Sequence, residues 1–413
     1  MNASSKFYSN VFIYLASNIV YFSIPFFLLP LLTRILTIEE YGTLGLFQTL
    51  SVLFVHFVSL GTQSYIIRAY FDDIESRAVI VKSNYLIYIS MLAVVGAIVL
   101  ILYNFDIWIF PIELKYVLLA ILCSFFTCVL NIRLFIFQAE QSAFSYGKVQ
   151  VAGSALNVVM TLFFVFSIFP SLDGRVYAVT LSLFLISVYC TFTLKKQLIL
   201  AGESADIQIG IKRSLVFGLP LMPHLLGAFL ISYFDRFFIE DKFSLADVGI
   251  YVFSVQVASI AGFLFDSIQK AYIPFLFSFL KNNGVATVLV RKFYFYLALV
   301  FSFPFLFFFF GEGFVRVYAG EKYLAAVDII FILLLGQSLR GLYLVFSGFL
   351  SYYKKNFLQS CITISCGVLS VILIIVLSRY FGLYGVALSN FFAMLSFFLM
   401  TGLFSILTIR RRG

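Results

Sequence analysis

The feature that most limits what this chain can fold into is the recurrence of long apolar stretches from one end to the other. They cover residues 7–33, 42–61, 83–103, 114–137, 144–168, 174–194, 215–234, 249–273, 292–310, 325–350, 357–377 and 383–409. The hydrocarbon of a bilayer is about 30 Å thick, and a spanning helix needs about 20 mostly apolar residues. Each stretch meets that length. A membrane barrel would instead alternate polar and apolar residues in strands of about ten, and no such pattern is present. The 413 residues are 62% hydrophobic and only 11% charged. A soluble fold of that composition would run out of polar surface. The chain is therefore expected to be an all-α polytopic membrane protein with about twelve transmembrane helices. The first stretch is too long for a signal-peptide core and lacks a small-residue cleavage site, so it is expected to remain as a helix.

The net charge of +9 is not a nucleic-acid footprint, because its distribution follows the membrane. With the N-terminus in the cytoplasm, the inner side receives Lys6, Arg68, Arg77, Lys82, Lys148, Lys195, Lys196, Lys212, Arg213, Lys281, Arg291, Lys292, Lys354, Lys355 and the tail Arg410, Arg411 and Arg412. The outer ones hold Arg34, Lys115, Arg175, Arg236, Lys242, Arg316, Lys322 and Arg379, together with most of the acids. Basic residues favour the cytoplasmic side, so both termini are expected inside. Cys123, Cys128, Cys190, Cys361 and Cys366 sit within apolar stretches without a CxxC pair, which argues against both disulfides and a structural metal.

A hydrophilic connection at 195–213 divides the chain into a six-helix lobe at 1–194 and another at 214–413. Placing Gly42 on Gly249 also brings Glu40 onto Asp247, Thr49 onto Gln256, Ser59 onto Asp266, Gln63 onto Lys270 and Tyr65 onto Tyr272. Six helices per half preserve orientation, so the halves should be related by a pseudo-two-fold along the membrane normal. Pro220 and Pro223 should bend the seventh helix, and Pro25 and Pro30 the first.

Charges and amides inside a membrane face protein or water rather than lipid. Gln256, Ser259, Asp266 and Lys270 fall on one helical stripe; so do Thr49, His56, Ser59 and Gln63 in the matching helix. Asn131, Gln150, Asn157 and Gln337 add amides on other helices. These predict a hydrated cavity lined by Thr49, His56, Ser59, Gln63, Asn131, Gln150, Asn157, Gln256 and Gln337. Arg34, Arg236, Lys270 and Arg340, with Arg133 as a weaker member, are the candidates for holding an anion. Asp266 is the candidate for ion coupling. Plainer readings stand beside these: Asp266 with Lys270 as an i, i+4 ion pair, Arg34, Arg236 and Arg133 snorkelling to an interface, and His56 and His224 as packing groups. No catalytic or metal-binding constellation is seen.

The run Phe217-Gly-Leu-Pro-Leu-Met-Pro-His224, then Asp235-Arg236-Phe-Phe-Ile239 and Asp247-Val-Gly-Ile-Tyr251, resembles the middle signature of Wzx-type flippases of the bacterial polysaccharide transporter family. Pro30-Leu-Leu-Thr-Arg34 with Glu40-Tyr41-Gly42 resembles that family's opening signature. The resemblance implies a MATE-like fold of the MOP superfamily, with two six-helix lobes around a cavity. It also implies the task of moving an undecaprenyl-pyrophosphate-linked oligosaccharide from the inner to the outer leaflet of the bacterial cytoplasmic membrane, for O-antigen or capsule. A polymerase and a chain-length regulator of the same pathway are then possible partners. No cofactor is implied. No GxxxxGK[ST] motif is present to serve ATP hydrolysis, which leaves membrane potential or inward H+ or Na+ as driving forces.

Three other readings stand beside this one. A multidrug or cation antiporter of the same fold should carry buried acids, whereas the deep charges here are mostly basic. A polytopic polymerase or glycosyltransferase should carry a sizeable outer loop with catalytic groups, and these connections are short. A peptidoglycan-precursor flippase would have helices beyond twelve.

Overall fold

A computed structural model describes the backbone of residues 3–70, 74–200, 204–283, 288–353 and 355–410, with side chains for most of them. The chain forms helices α1 (Ala3–Ile35), α2 (Ile38–Ser59), α3 (Gln63–Ala69), α4 (Ile74–Asn104), α5 (Leu114–Ala139), α6 (Ala143–Phe163), α7 (Leu172–Leu200), α8 (Ser204–Gly218), α9 (Met222–Lys242), α10 (Leu245–Asn283), α11 (Val288–Tyr318), α12 (Ala326–Tyr352) and α13 (Asn356–Arg410). No strand occurs among the described residues. Ten helical stretches among them are long and apolar enough to cross a membrane. With α1 and the second half of α13, these coincide one for one with the twelve stretches seen in the sequence. The protein is an all-α, multi-pass membrane protein.

The breaks have local causes. At Gly382 the backbone takes φ 56° and ψ −135°, a conformation closed to residues with a Cβ. It divides α13 into the two crossings expected at 357–377 and 383–409. Pro220 sits in a single 3-10 turn, Leu219–Leu221, which separates α8 from α9 within the seventh apolar stretch. By contrast, α1 remains one helix through Pro25 and Pro30. Leu60 and Gly61 both take positive φ (48° and 69°), which ends α2 and starts the short α3. Gln63 therefore does not continue the stripe of Thr49, His56 and Ser59, because the helical spacing stops at Leu60.

The repeat is visible in the helix starts. Ahead of α2, the Thr37 N–H donates to Glu40 Oε2 at 2.9 Å while the Glu40 N–H donates to Thr37 Oγ1 at 3.1 Å. This reciprocal capping box satisfies two orphan backbone donors. Ahead of α10, the Asp247 N–H donates to Ser244 Oγ at 3.1 Å and Ser244 Oγ to Asp247 Oδ2 at 2.6 Å. The two starts cross at Gly42 and Gly249. A Cβ on Gly42 would collide with the Leu245 carbonyl oxygen, and one on Gly249 with the Ile38 carbonyl oxygen. Equivalent positions of the repeat thus meet each other reciprocally.

The chain falls into two compact units, 1–25 with 43–226 and 26–42 with 227–413. This grouping departs from the 1–194 and 214–413 lobes read from the sequence in two ways. The connection 195–213 is largely helical, and α8 belongs to the first unit because it is seated on α4: Ser83 Oγ donates to the Ile207 carbonyl at 3.1 Å and Asn84 Nδ2 to Ser214 Oγ at 3.3 Å. Helix α1 is shared. Its earlier part lies on α6, where Ser154 Oγ donates to the Tyr21 carbonyl at 3.4 Å. Its later part lies on α11, where the Tyr318 hydroxyl donates to the Phe26 carbonyl at 2.5 Å and the two rings stack at 4.8 Å.

The first unit is centred on Val58, Tyr88, Cys128, Ile132 and Leu194, from α2, α4, α5 and α7. The second is centred on Ile231, Leu339, Leu350, Cys366 and Phe397, from α9, α12 and α13. Phe305, Phe308 and Phe310 on α11 are exposed. In a membrane protein such faces meet lipid, where apolar exposure carries no penalty.

Candidate functional site

The second unit holds the most elaborate polar cluster. Helices α10 and α12 pack side by side, which brings Asp266 and Arg340 together across 74 positions of sequence. Arg340 Nη2 donates to both carboxylate oxygens of Asp266, at 2.8 and 2.9 Å. Its Nη1 donates to Gln337 Oε1, one turn away on α12, at 3.4 Å. The pair is neither sealed nor free: the side chains are 30% and 31% exposed. The Tyr296 hydroxyl donates to the Gly341 carbonyl at 3.0 Å, and Gln359 Nε2 donates to the Tyr343 hydroxyl at 3.3 Å. The Tyr343 ring stacks on Phe397 at 4.0 Å. A cation, a carboxylate, amides and phenols therefore gather on α10, α11, α12 and α13. Asp266, for which an i, i+4 pair with Lys270 is one sequence-based reading, meets Arg340. The Lys270 side chain lies outside the described residues.

The remaining expected cations are placed differently. Arg236 is 7% exposed, paired with Asp235 at 3.0 Å, donating to the Ser232 carbonyl at 2.6 Å and lying over the Tyr233 ring at 4.9 Å. Asp235 also accepts the Tyr251 hydroxyl at 2.7 Å. This closed ion-pair network ties α9 to α10 and leaves Arg236 little capacity for a ligand. Arg34 is exposed and its Nη2 lies 3.4 Å from the Val317 carbonyl. Gln256 is half-buried and its Oε1 accepts the Tyr41 hydroxyl.

In the first unit, Asn131 Nδ2 donates to Gln63 Oε1 at 3.0 Å, and Gln63 Nε2 to Cys128 Sγ at 3.6 Å. The amides at 63 and 131 thus come together although the stripe containing Gln63 is broken. Half-buried Arg133 lies 4.1 Å from the Phe137 ring centroid, and its Nε has no hydrogen-bond partner among the described residues. The same is true of Gln150 Oε1. Thr49 is 1% exposed, with its hydroxyl donated to the Gly45 carbonyl at 2.8 Å. Ser59, also 1% exposed, faces the Gly61 N–H of the α2–α3 break at 3.4 Å. His56 is half-buried on the last turn of α2.

Asn157 introduces a residue that the sequence reading left among the outer charges. Its Oδ1 accepts Arg175 Nη1 at 2.8 Å, its Nδ2 donates to Ser182 Oγ at 3.2 Å, and the same Arg175 nitrogen donates to Thr161 Oγ1. Arg175 is 6% exposed. The i, i+4 spacing of Asn157 and Thr161, followed by a tight connection into α7, was the available signal. Two neutral acceptors aimed at a position just past a helix hairpin call for a cation there.

Comparison with known proteins follows the same lines. The family model described as "Polysaccharide biosynthesis protein" matches residues 7–280. A curated Haemophilus influenzae protein, "Lsg locus putative protein 1", is 29% identical over 375 residues, covering 89% of each chain. An "Uncharacterized membrane protein" of the same organism is 27% identical over 354 residues, covering 83% of each. Among solved structures, an inward-facing multidrug resistance MATE family transporter of the MOP superfamily superposes with a TM-score of 0.72 at 16% identity, covering 97% of this chain and 95% of that one. The MATE multidrug transporter DinF-BH gives 0.70 at 15% identity, covering 100% and 96%. At these identities the likeness establishes the fold alone.

Proposed function

Because the chain belongs to the polysaccharide biosynthesis protein family, the Wzx-type flippases of the MOP superfamily, we propose that it carries an undecaprenyl-pyrophosphate-linked oligosaccharide from the inner to the outer leaflet of the bacterial cytoplasmic membrane. The family and fold are those of a membrane transporter rather than an enzyme.

The difficulty in flipping such a molecule lies in its head. The polyprenyl tail remains in hydrocarbon throughout, whereas the pyrophosphate and sugars need a polar path. The observation that carries the reading is Arg340, whose side chain is about one-third exposed and is held in a cluster with Gln337, Tyr343 and Gln359. A guanidinium recognises phosphate oxygens through paired N–H donors, and amides with stacked phenols suit sugar hydroxyls and ring faces. Arg34 and Arg133 are the accessory cations of this proposal. The cluster is poised rather than empty, because Asp266 occupies Nη2 of Arg340 until an anion takes its place. Alternating access about the polar residues of the two repeats is the proposed transport cycle. Outward movement of negative charge is favoured by about 2.3 kcal/mol per charge per 100 mV, and coupling to H+ or Na+ through Asp266 is the alternative driving force.

A cation antiporter is less well served. The acid such a protein would use is bidentately paired with Arg340, so a substrate cation would have to compete with a covalently tethered guanidinium.

Flipping of a fluorescent undecaprenyl-pyrophosphate oligosaccharide in proteoliposomes tests the proposal. Parent protein should equilibrate the lipid between leaflets, and Arg340→Ala should lose about tenfold or more, the scale of one charge-assisted phosphate contact. Export of a cationic dye with no movement of the glycolipid would overturn it in favour of the antiporter.

A further inference from the structure

The first unit carries a groove of about 560 Å3 between α4, α5 and α7, apart from the polar clusters described above. Phe126 and Val129 of α5 and Phe184 and Val188 of α7 form its walls, with the Phe126 and Phe184 rings edge to face at 5.4 Å. The hydroxyls along it are already engaged. Tyr85 Oη and Thr191 Oγ1 lie 2.7 Å apart, joining α4 to α7, and Ser187 Oγ donates to the Phe184 carbonyl at 2.7 Å. The groove thus offers a dry apolar surface, and it is open to the side: Phe184 and Phe192 are 43% and 70% exposed.

Its length and its end distinguish it from a mere rough patch. From Phe184 to Lys195, α7 rises about 16 Å at 1.5 Å per residue. One leaflet of hydrocarbon is about 15 Å deep. Exposed Lys195 stands at the mouth, at the end of the span Leu172–Lys195. Exposed Lys212 and Arg213 of α8 lie at the same end of the unit, since α8 is seated on the start of α4. The charge asymmetry of the connections places that end in the cytoplasm.

We infer that this groove is a binding site for an anionic phospholipid of the cytoplasmic leaflet, one acyl chain lying between α4, α5 and α7 and the headgroup phosphate meeting Lys195. A leaflet-deep apolar slot matches the chain of a glycerophospholipid. An undecaprenyl tail is far longer than one leaflet is deep. Cations at a membrane surface select anionic over zwitterionic headgroups, so the occupant is a lipid of the phosphatidylglycerol class rather than bulk bilayer. The site does not depend on what the protein transports.

The single tryptophan, Trp108, makes an optical test direct. In a Trp108→Phe, Phe126→Trp protein the only indole sits in the groove wall. In nanodiscs of defined composition, phosphatidylglycerol brominated on its acyl chain should quench that indole at about fivefold lower mole fraction than brominated phosphatidylcholine, the selectivity expected of one interfacial cation. Lys195→Glu should abolish the preference and Lys195→Arg should keep it. Lys195 is exposed, so neither change burdens folding. Equal quenching by the two lipids in the reporter protein, or a preference untouched by Lys195→Glu, overturns the assignment. Release of quenching by stoichiometric undecaprenyl phosphate also overturns it, because the groove would then belong to the tail of the transported lipid.

Discussion

Replacing Asp266 by asparagine should tighten the binding of pyrophosphate, and the size of the effect follows from the geometry. In the parent protein an anion that uses Arg340 Nη2 must displace Asp266, whose oxygens sit at 2.8 and 2.9 Å from that nitrogen. Opposite charges about 4 Å apart attract by about 4 kcal/mol at an effective dielectric of about 20. That is an upper limit here, because both side chains are about one-third exposed. Fully exposed pairs are worth about 0.2–1 kcal/mol, and breaking a fully buried pair costs about 3–5 kcal/mol. A half-solvated bidentate pair falls between, at about 1.5 kcal/mol, or roughly tenfold in affinity. Calorimetric titration of purified Asp266→Asn protein with inorganic pyrophosphate should therefore show Kd about tenfold lower than the parent. The double variant Asp266→Asn, Arg340→Gln should lose that gain, showing that it acts through the guanidinium. If Asp266→Asn binds pyrophosphate no more tightly than the parent, the idea that the carboxylate occupies the anion's place is wrong.

Three further outcomes are expected. Asp235→Ala should destabilise the protein by about 3–5 kcal/mol, read as a large fall in Tm, because it leaves Arg236 buried without its carboxylate; Asp235→Glu should recover part of it. Gly382→Ala should cost about 1–3 kcal/mol by forcing a Cβ into a conformation reserved for glycine, although no atom within 4 Å would obstruct the methyl group itself. Lys322 lies between α11 and α12, with its Nζ donating to the Leu36 carbonyl at 2.8 Å; desolvation lowers its pKa below the ordinary lysine value, and Glu39 and Glu40 only partly oppose this. A lowered folded-state pKa means that the unfolded chain holds the proton more tightly, so this residue's contribution to stability should rise with pH through the alkaline range up to about 10.4, the ordinary lysine value. Lys322→Met should flatten the difference in Tm measured across that range.

Much of the fold was legible because lipid makes a coarse demand that a sequence must meet openly. Every crossing needs its twenty apolar residues in a row, which also sets the boundary between the stretches 357–377 and 383–409. The internal repeat was equally plain in the alignment of Glu40 and Gly42 with Asp247 and Gly249. The site was legible only as an inventory. The sequence offers Asp266 as an ion-coupling group and Arg340 as an anion holder separately, and nothing local reveals that α10 and α12 bring them together. Helical periodicity puts Gln63 on the stripe, because it has no means of announcing that Leu60 and Gly61 take positive φ. Arg175 stands near a helix start, where a charge is usually solvated, and its acceptors Asn157 and Thr161 belong to the preceding helix, so its position in the sequence does not single it out.

The crossing of α2 and α10 has a consequence for how this protein can change. Each glycine is the hollow that receives the other helix's carbonyl, and the two contacts are copies of one another under the repeat. Substitution at position 42 and substitution at 249 therefore inflict the same injury from opposite sides, and neither site has a side chain left to trim in compensation. A suppressor of either lesion must come from elsewhere along the helices, by moving the axes apart, and a variant enlarged at both positions should fare worse than one enlarged at either.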